Sequence, residues 1–134
     1  MPVRPQKTPR ATAAEQVLAY ALTKPGAWLD HPWGEGHDVV KVGERMFVLA
    51  GATQDEPSFS VKHEDMDSRD VWRARFPDAV GPAPYLTNKP WSRVFPDRGI
   101  EEDDVRELVD ESYVAVVRRL AKKNRPDGWD EGLD

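Results

Sequence analysis

Apolar positions recur at helical spacing in three stretches of the chain and alternate with polar ones in several others. This patterning predicts three helices and five strands. Ala14, Val17, Leu18, Ala21 and Leu22 fall at i, i+3, i+4, i+7 and i+8, one buried helix face. Thr12 followed by Glu15 forms a capping box at its start, and Pro25-Gly26 stops it. Asp38 to Val42 and Arg45 to Ala50 are strands joined by the two-residue turn Gly43-Glu44. The second is almost wholly apolar, which suits a central position. In Ser58 to Lys62, Phe59 and Val61 alternate with Ser58, Ser60 and Lys62, the mark of a half-buried strand. A second helix is expected from Met66 to Phe76, capped by Asp65 or Asp67, with Trp72 and Phe76 one turn apart and Pro77 ending it. Prolines 82 and 84 suit an edge strand, and Trp91 to Phe95 alternates again before the turn Asp97-Arg98-Gly99. Val105, Leu108, Val109, Tyr113, Val116, Val117 and Leu120 draw a continuous stripe along a last helix, about 101 to 123.

The expected order is therefore α-β(3)-α-β(2)-α. Strands joined by tight turns make an antiparallel sheet, and helices on one side give a two-layer α+β domain. With 134 residues there is material for one core. The domain is placed at 11–124. Residues 1–10, with three prolines, three bases and no acid, read as a flexible basic N-terminal tail. Residues 125–134 read as an acidic C-terminal tail, in which Trp129 is the exception that can dock on the body.

Composition narrows the function classes. No apolar run reaches the roughly 20 residues of a membrane helix, and Met1 to Arg10 lacks the apolar region of a secretory signal. There is no cysteine, hence no disulfide, thiolate nucleophile or thiolate metal site. These absences fit the cytoplasm. A net charge of −5 opposes non-specific coating of nucleic acid, yet permits a local basic face. Glu101 to Asp104 suits the positive end of the last helix's dipole, and Arg118, Arg119, Lys122 and Lys123 suit its negative end.

Candidate chemistry gathers in a few places. Asp30-His31-Pro32-Trp33-Gly34 puts a carboxylate, an imidazole and an indole at the mouth of the first hairpin. One reading is a ligand pocket in which Trp33 stacks, Asp30 and His31 supply hydrogen bonds, and Lys89 and Trp91 close the far side. The other is packing, with Asp30 bonding a turn and Trp33 filling the core. His31, His37 and Asp38 match no zinc spacing, so no metal and no cofactor is expected. Lys41, Arg45 and Lys62 on strands, with Lys89 and Arg93 near Trp91, can form a basic strip interleaved with aromatics of the kind that contacts nucleic acid. Neither a Gly-x-Ser-x-Gly elbow nor a phosphate-binding glycine loop is present, no catalytic set can be assigned, and the chain is read as no enzyme.

Several segments, in order, resemble the MmcQ/YjbR family of small bacterial proteins: Leu22 to Gly26 with Trp28, Asp30-His31-Pro32-Trp33-Gly34, Val40-Lys41-Val42-Gly43, Met46-Phe47, Ser60-Val61-Lys62, Phe76-Pro77, Asn88-Lys89, Trp91, and Asp110-Glu111-Ser112-Tyr113. They span roughly residues 12 to 123. One departure is that Pro90 alone separates Lys89 from Trp91, a residue fewer than in many relatives. The resemblance implies the α-β(3)-α-β(2)-α fold, similar to secretion chaperones and described as a double wing, and a DNA-binding module that uses its strands. Two alternatives are a protein-interaction module, as a homodimer or with another protein, and a small-ligand domain lined by His31, Trp33 and Trp91.

Overall fold

The computed structural model describes residues 13–32, 37–51, 56–131 and 133. Its elements are α1 (Ala13–Ala21), β1 (Ala27–Asp30), β2 (His37–Val42), β3 (Arg45–Gly51), β4 (Phe59–Lys62), α2 (Met66–Arg75), β5 (Val80–Pro82), β6 (Trp91–Val94) and α3 (Glu102–Val117). A 3₁₀ turn at Lys122–Asn124 follows. The six strands form one antiparallel sheet in the order β1-β2-β3-β4-β6-β5. The α+β class and antiparallel pairing are as the patterning predicts.

One element was not legible. Four strands, not three, precede α2, because Ala27–Asp30 pairs along β2 from Ala27↔Val42 to Asp30↔Val39. As an edge strand it leaves Trp28 and Leu29 each 41 % exposed, so it shows no apolar/polar alternation. At the opposite edge Val80–Pro82 pairs with β6 alone, where the missing N–H of Pro82 does no harm.

Alternation along the strands sends one set of side chains to the helices. Val40, Val42, Val48, Phe59, Val61, Val80 and Val94 meet Val17 and Ala21 of α1, Trp72 of α2, and Leu108, Val109, Tyr113 and Val116 of α3 in one buried cluster. Ser60, Lys62, Trp91 and Arg93 fall on the other face, where Ser60 and Trp91 are buried. Asp65 caps α2, its carboxylate accepting the Ser68 N–H at 2.8 Å. Trp72 and Phe76 stack with ring centres 5.9 Å apart. The acids Glu102, Asp103 and Asp104 occupy the first turn of α3, as expected.

Two glycines fix the corners near the C-terminus. Gly43 opens the β2–β3 turn at φ +59°, and a Cβ there would stand 3.2 Å from Leu120 Cδ2. Gly26 turns the chain from α1 into β1 at φ +74°, and a Cβ there would come within 2.7 Å of Pro126 Cγ. The segment after Arg125 thus lies against the body, and Trp129 packs on the core cluster. The N-terminal tail, with the capping residue Thr12, lies outside the described residues.

Candidate functional site

The antiparallel topology brings four features to one end of the sheet: the β2–β3 turn, the end of β4, the loop before β6, and the chain leaving α3. Leu120 against Gly43 ties the last of these to the first. Each contributes a cation. Arg45 follows the turn, Lys62 ends β4, Lys89 precedes β6, and Arg119 lies two residues past α3. Arg45, Lys89 and Arg119 are exposed, while Lys62 is partly buried. Burial pushes the Lys62 ammonium below the ordinary lysine value, and the positive charges of Arg119, Lys89 and Arg45 push it further the same way. None of the four forms an ion pair among the described residues. Glu64, two residues beyond Lys62, is paired instead with Arg118 at 3.6 Å. Lys62 Nζ stands 5.9 Å from the Trp91 ring centre, the residue opposite it in the β4–β6 register.

Of the five bases singled out in the sequence, Arg45, Lys62 and Lys89 fall at this one end of the sheet. Lys41 does not join them as a free charge. Its Nζ is 2.7 Å from Asp30 Oδ2 and 5.3 Å from the Trp28 ring centre, so its charge is already met. Arg93 stands on the same face as Lys62 but donates from Nε to Ser58 Oγ at 2.9 Å and lies 4.8 Å from the Phe95 ring centre. Arg119 was missed because it belongs to a basic block that reads as a complement to the helix dipole. In fact α3 has no basic residue in its last turn, and Arg125 does the capping by donating to the Leu120 and Arg118 carbonyls.

Asp30, His31 and Trp91 do not line one pocket. Asp30 is on β1 and Trp91 on β6, four strand spacings apart, or about 19 Å. Asp30 instead accepts its neighbour's N–H from His31 at 2.8 Å, and Lys41 holds its carboxyl below the ordinary range. His31 Nε2 lies 2.7 Å from Asp38 Oδ1. Trp33 and Gly34 lie outside the described residues. No group of three His, Cys, Asp or Glu side chains suited to a metal ion occurs among the described residues.

A second polar cluster, which sequence reasoning passed over, sits under α2 and α3. His63 is fully buried at the end of β4. Its Nδ1 is 3.2 Å from Glu111 Oε1, and its Nε2 is 2.7 Å from Ser92 Oγ. An ionised Glu111 only accepts, so Nδ1 of the ring donates to it. Burial alone would raise the Glu111 carboxyl, but hydrogen bonds from His63, Ser68 and the Glu64 N–H hold it below the ordinary value. Ser, His and Glu in this sequence of contacts look like a nucleophilic relay. Ser92 and His63 have no exposed surface, however, and Arg73 Nε donates to Ser92 Oγ at 3.2 Å. No substrate reaches that hydroxyl, and the cluster acts as a lock between β4, β6 and α3.

The whole Asp110-Glu111-Ser112-Tyr113 segment works this way. Asp110 accepts the Tyr20 hydroxyl at 2.6 Å and pairs with Lys24 at 2.5 Å. Ser112 accepts the Lys62 N–H at 2.8 Å and donates to the Phe47 carbonyl at 2.6 Å. It bridges β3 and β4 beyond their last ladder pair, Val48↔Val61, next to the β2–β3 register shift. Tyr113 donates to the Pro25 carbonyl at 2.6 Å, and burial pushes its phenol up to about 12.

Comparison with known proteins agrees with this fold. A YjbR family model matches residues 22–115. The chain is 29 % identical over 111 residues to the uncharacterized protein YbdF of Escherichia coli O157:H7, covering 83 % of this chain and 89 % of that protein. It is 27 % identical over 112 residues to the uncharacterized protein YjbR of Escherichia coli K12, covering 82 % and 92 %. Among solved structures, a Deinococcus radiodurans protein, DR2400, with a DUF419 domain superposes with a TM-score of 0.74 at 25 % identity, covering 83 % of each chain. A Pseudomonas syringae protein shares the fold at a TM-score of 0.57 and 18 % identity, covering 73 % of this chain and 93 % of that one.

Proposed function

The chain belongs to the YjbR family, and from that premise we propose that it is a DNA-binding module whose contact surface is the cationic end of the sheet. The observation that carries this reading is the placement of Arg45 after the β2–β3 turn, Lys62 at the end of β4, Lys89 before β6 and Arg119 past α3, four cations at one end of the sheet and none in an ion pair among the described residues. Gathering like charges is unfavourable, and at Lys62 partial burial adds to the penalty. A polyanion relieves both at once, because phosphates supply the missing counter-charge. The overall charge of −5 does not oppose it, since screening at about 0.15 M salt confines each charge's influence to about 8 Å. The chain then acts by binding alone and not as an enzyme, in the cytoplasm, where its ligand is found.

The test is anisotropy of labelled DNA titrated with protein between about 50 and 200 mM salt. Affinity is expected to fall steeply with salt, and Lys62→Glu with Arg119→Glu is expected to abolish binding and leave the melting temperature within a few degrees. Absence of binding to any DNA at about 50 mM salt, where phosphate contacts are strongest, overturns the reading.

A further inference from the structure

We infer that the DNA this surface takes is single-stranded, with the ring of Tyr85 as the platform on which a base stacks; this rests on the reading of the cationic end given above. Tyr85 is fully exposed, at 101 % of its reference surface. It is also the one non-glycine residue with positive φ, +65°, among the described residues. The left-handed region crowds a side chain against its own backbone and is normally left to Gly, Asn or Asp. Tyrosine usually offsets such strain by packing, and here the ring packs against nothing. Neither local conformation nor the core accounts for an aromatic at this position, so its use lies outside the chain.

The loop that presents it is fixed and correctly placed. Leu86 N–H bonds the Ala83 carbonyl at 3.1 Å, and Lys89 N–H bonds the Leu86 carbonyl at 3.1 Å. Arg69 holds the Thr87 carbonyl at 3.2 Å, and the His63 N–H holds that of Pro90 at 2.6 Å. The loop connects β5 to β6 at the end of the sheet where Lys62 stands. Tyr85 precedes Lys89 by four residues, at most about 14 Å of chain. An exposed ring on the loop that carries Lys89, at the same end of the sheet as Lys62, is the arrangement by which single strands are held, the backbone on the charges and a base on the ring. Bases inside a duplex are stacked on one another and offer no face to such a ring.

The experiment measures binding of labelled oligothymidine and of a duplex of equal length to the full chain, at one low salt concentration. The variants are Tyr85→Gly, Tyr85→Trp and Lys62→Glu. Oligothymidine is expected to bind more tightly than the duplex. Tyr85→Gly should weaken oligothymidine about tenfold and leave the duplex unchanged. Its melting temperature should hold or rise, since glycine adopts positive φ freely. Tyr85→Trp should retain the affinity. Equal binding of both forms, or an unchanged Tyr85→Gly where Lys62→Glu weakens both, overturns the single-strand inference and leaves the DNA-binding reading standing. Binding of neither form removes both.

Discussion

Glu111 reaches from α3 to His63 at the end of β4, its Oε1 3.2 Å from Nδ1 of a ring with no exposed surface. The same carboxylate accepts the Ser68 hydroxyl and the Glu64 N–H, so one side chain ties α3 to β4 and to the first turn of α2. Glu111→Ala leaves these donors without an acceptor. Hydrogen bonds to a charged group are worth about 1.5–3 kcal/mol, and a loss of that size is expected as a lower urea midpoint at unchanged slope. A loss below about 0.5 kcal/mol would mean the network does not hold these elements together.

Acid should act through the same residue. The folded-state pKa of Glu111 lies below its ordinary value near 4.5. Its contribution is therefore complete above that value and disappears as pH falls through the lower, folded-state value. Glu111→Gln should flatten the stability profile in that acid range relative to the parent. Parallel profiles for the two proteins would show that acid lability originates elsewhere.

Ser112→Ala removes the hydroxyl that relays between the Lys62 N–H and the Phe47 carbonyl. Both groups then lack a partner in the interior, at a cost of about 1–3 kcal/mol. Faster amide exchange at Lys62 than at Val61 would mark the break as local; uniform protection across β4 would contradict it.

Tyr113→Phe deletes the bond to the Pro25 carbonyl, which pins the turn after α1. About 1 kcal/mol of stability should go with it. In an alkaline absorbance titration the phenolate step near 12 should be missing from the variant. If the step persists, another tyrosine is responsible for it.

Gly26→Ala meets two penalties, a left-handed backbone worth about 1–2 kcal/mol and a Cβ 2.7 Å from Pro126 Cγ. Pro126→Gly should relieve only the second. A thermal-melt double-mutant cycle should then show favourable coupling between the two changes. Strict additivity would mean that the C-terminal segment does not press on this turn.

The helices and the inner strands were legible because their signals are local. Val105 to Leu120 at 3.6-residue spacing and Phe59 and Val61 at alternate positions declare a buried face whatever lies opposite. The Gly43-Glu44 turn and the Asp65 cap rest on dihedral preference and a three-residue hydrogen bond. Ala27–Asp30 was not legible, because an edge strand with Trp28 and Leu29 half in water has no alternation to show. Its pairing is provided by the free edge of β2.

The candidate site was half legible. Arg45, Lys62 and Lys89 could be nominated as cations on or near strands, but side chains 27 residues apart in sequence, as Lys62 and Lys89 are, become neighbours only through the β4–β6 register. The same registers carried Lys41 to Asp30, which removed it from the set, and set Asp30 four strands away from Trp91. Hydrophobic period and turn chemistry act over a few residues, so the chain alone determines which elements form and which of their faces is apolar. Charge compensation acts through space over several ångströms. Only the folded arrangement decides that Lys41 is paired with Asp30, that Arg119 reaches the same end of the sheet as Lys62, and that the Tyr85 ring stands in water.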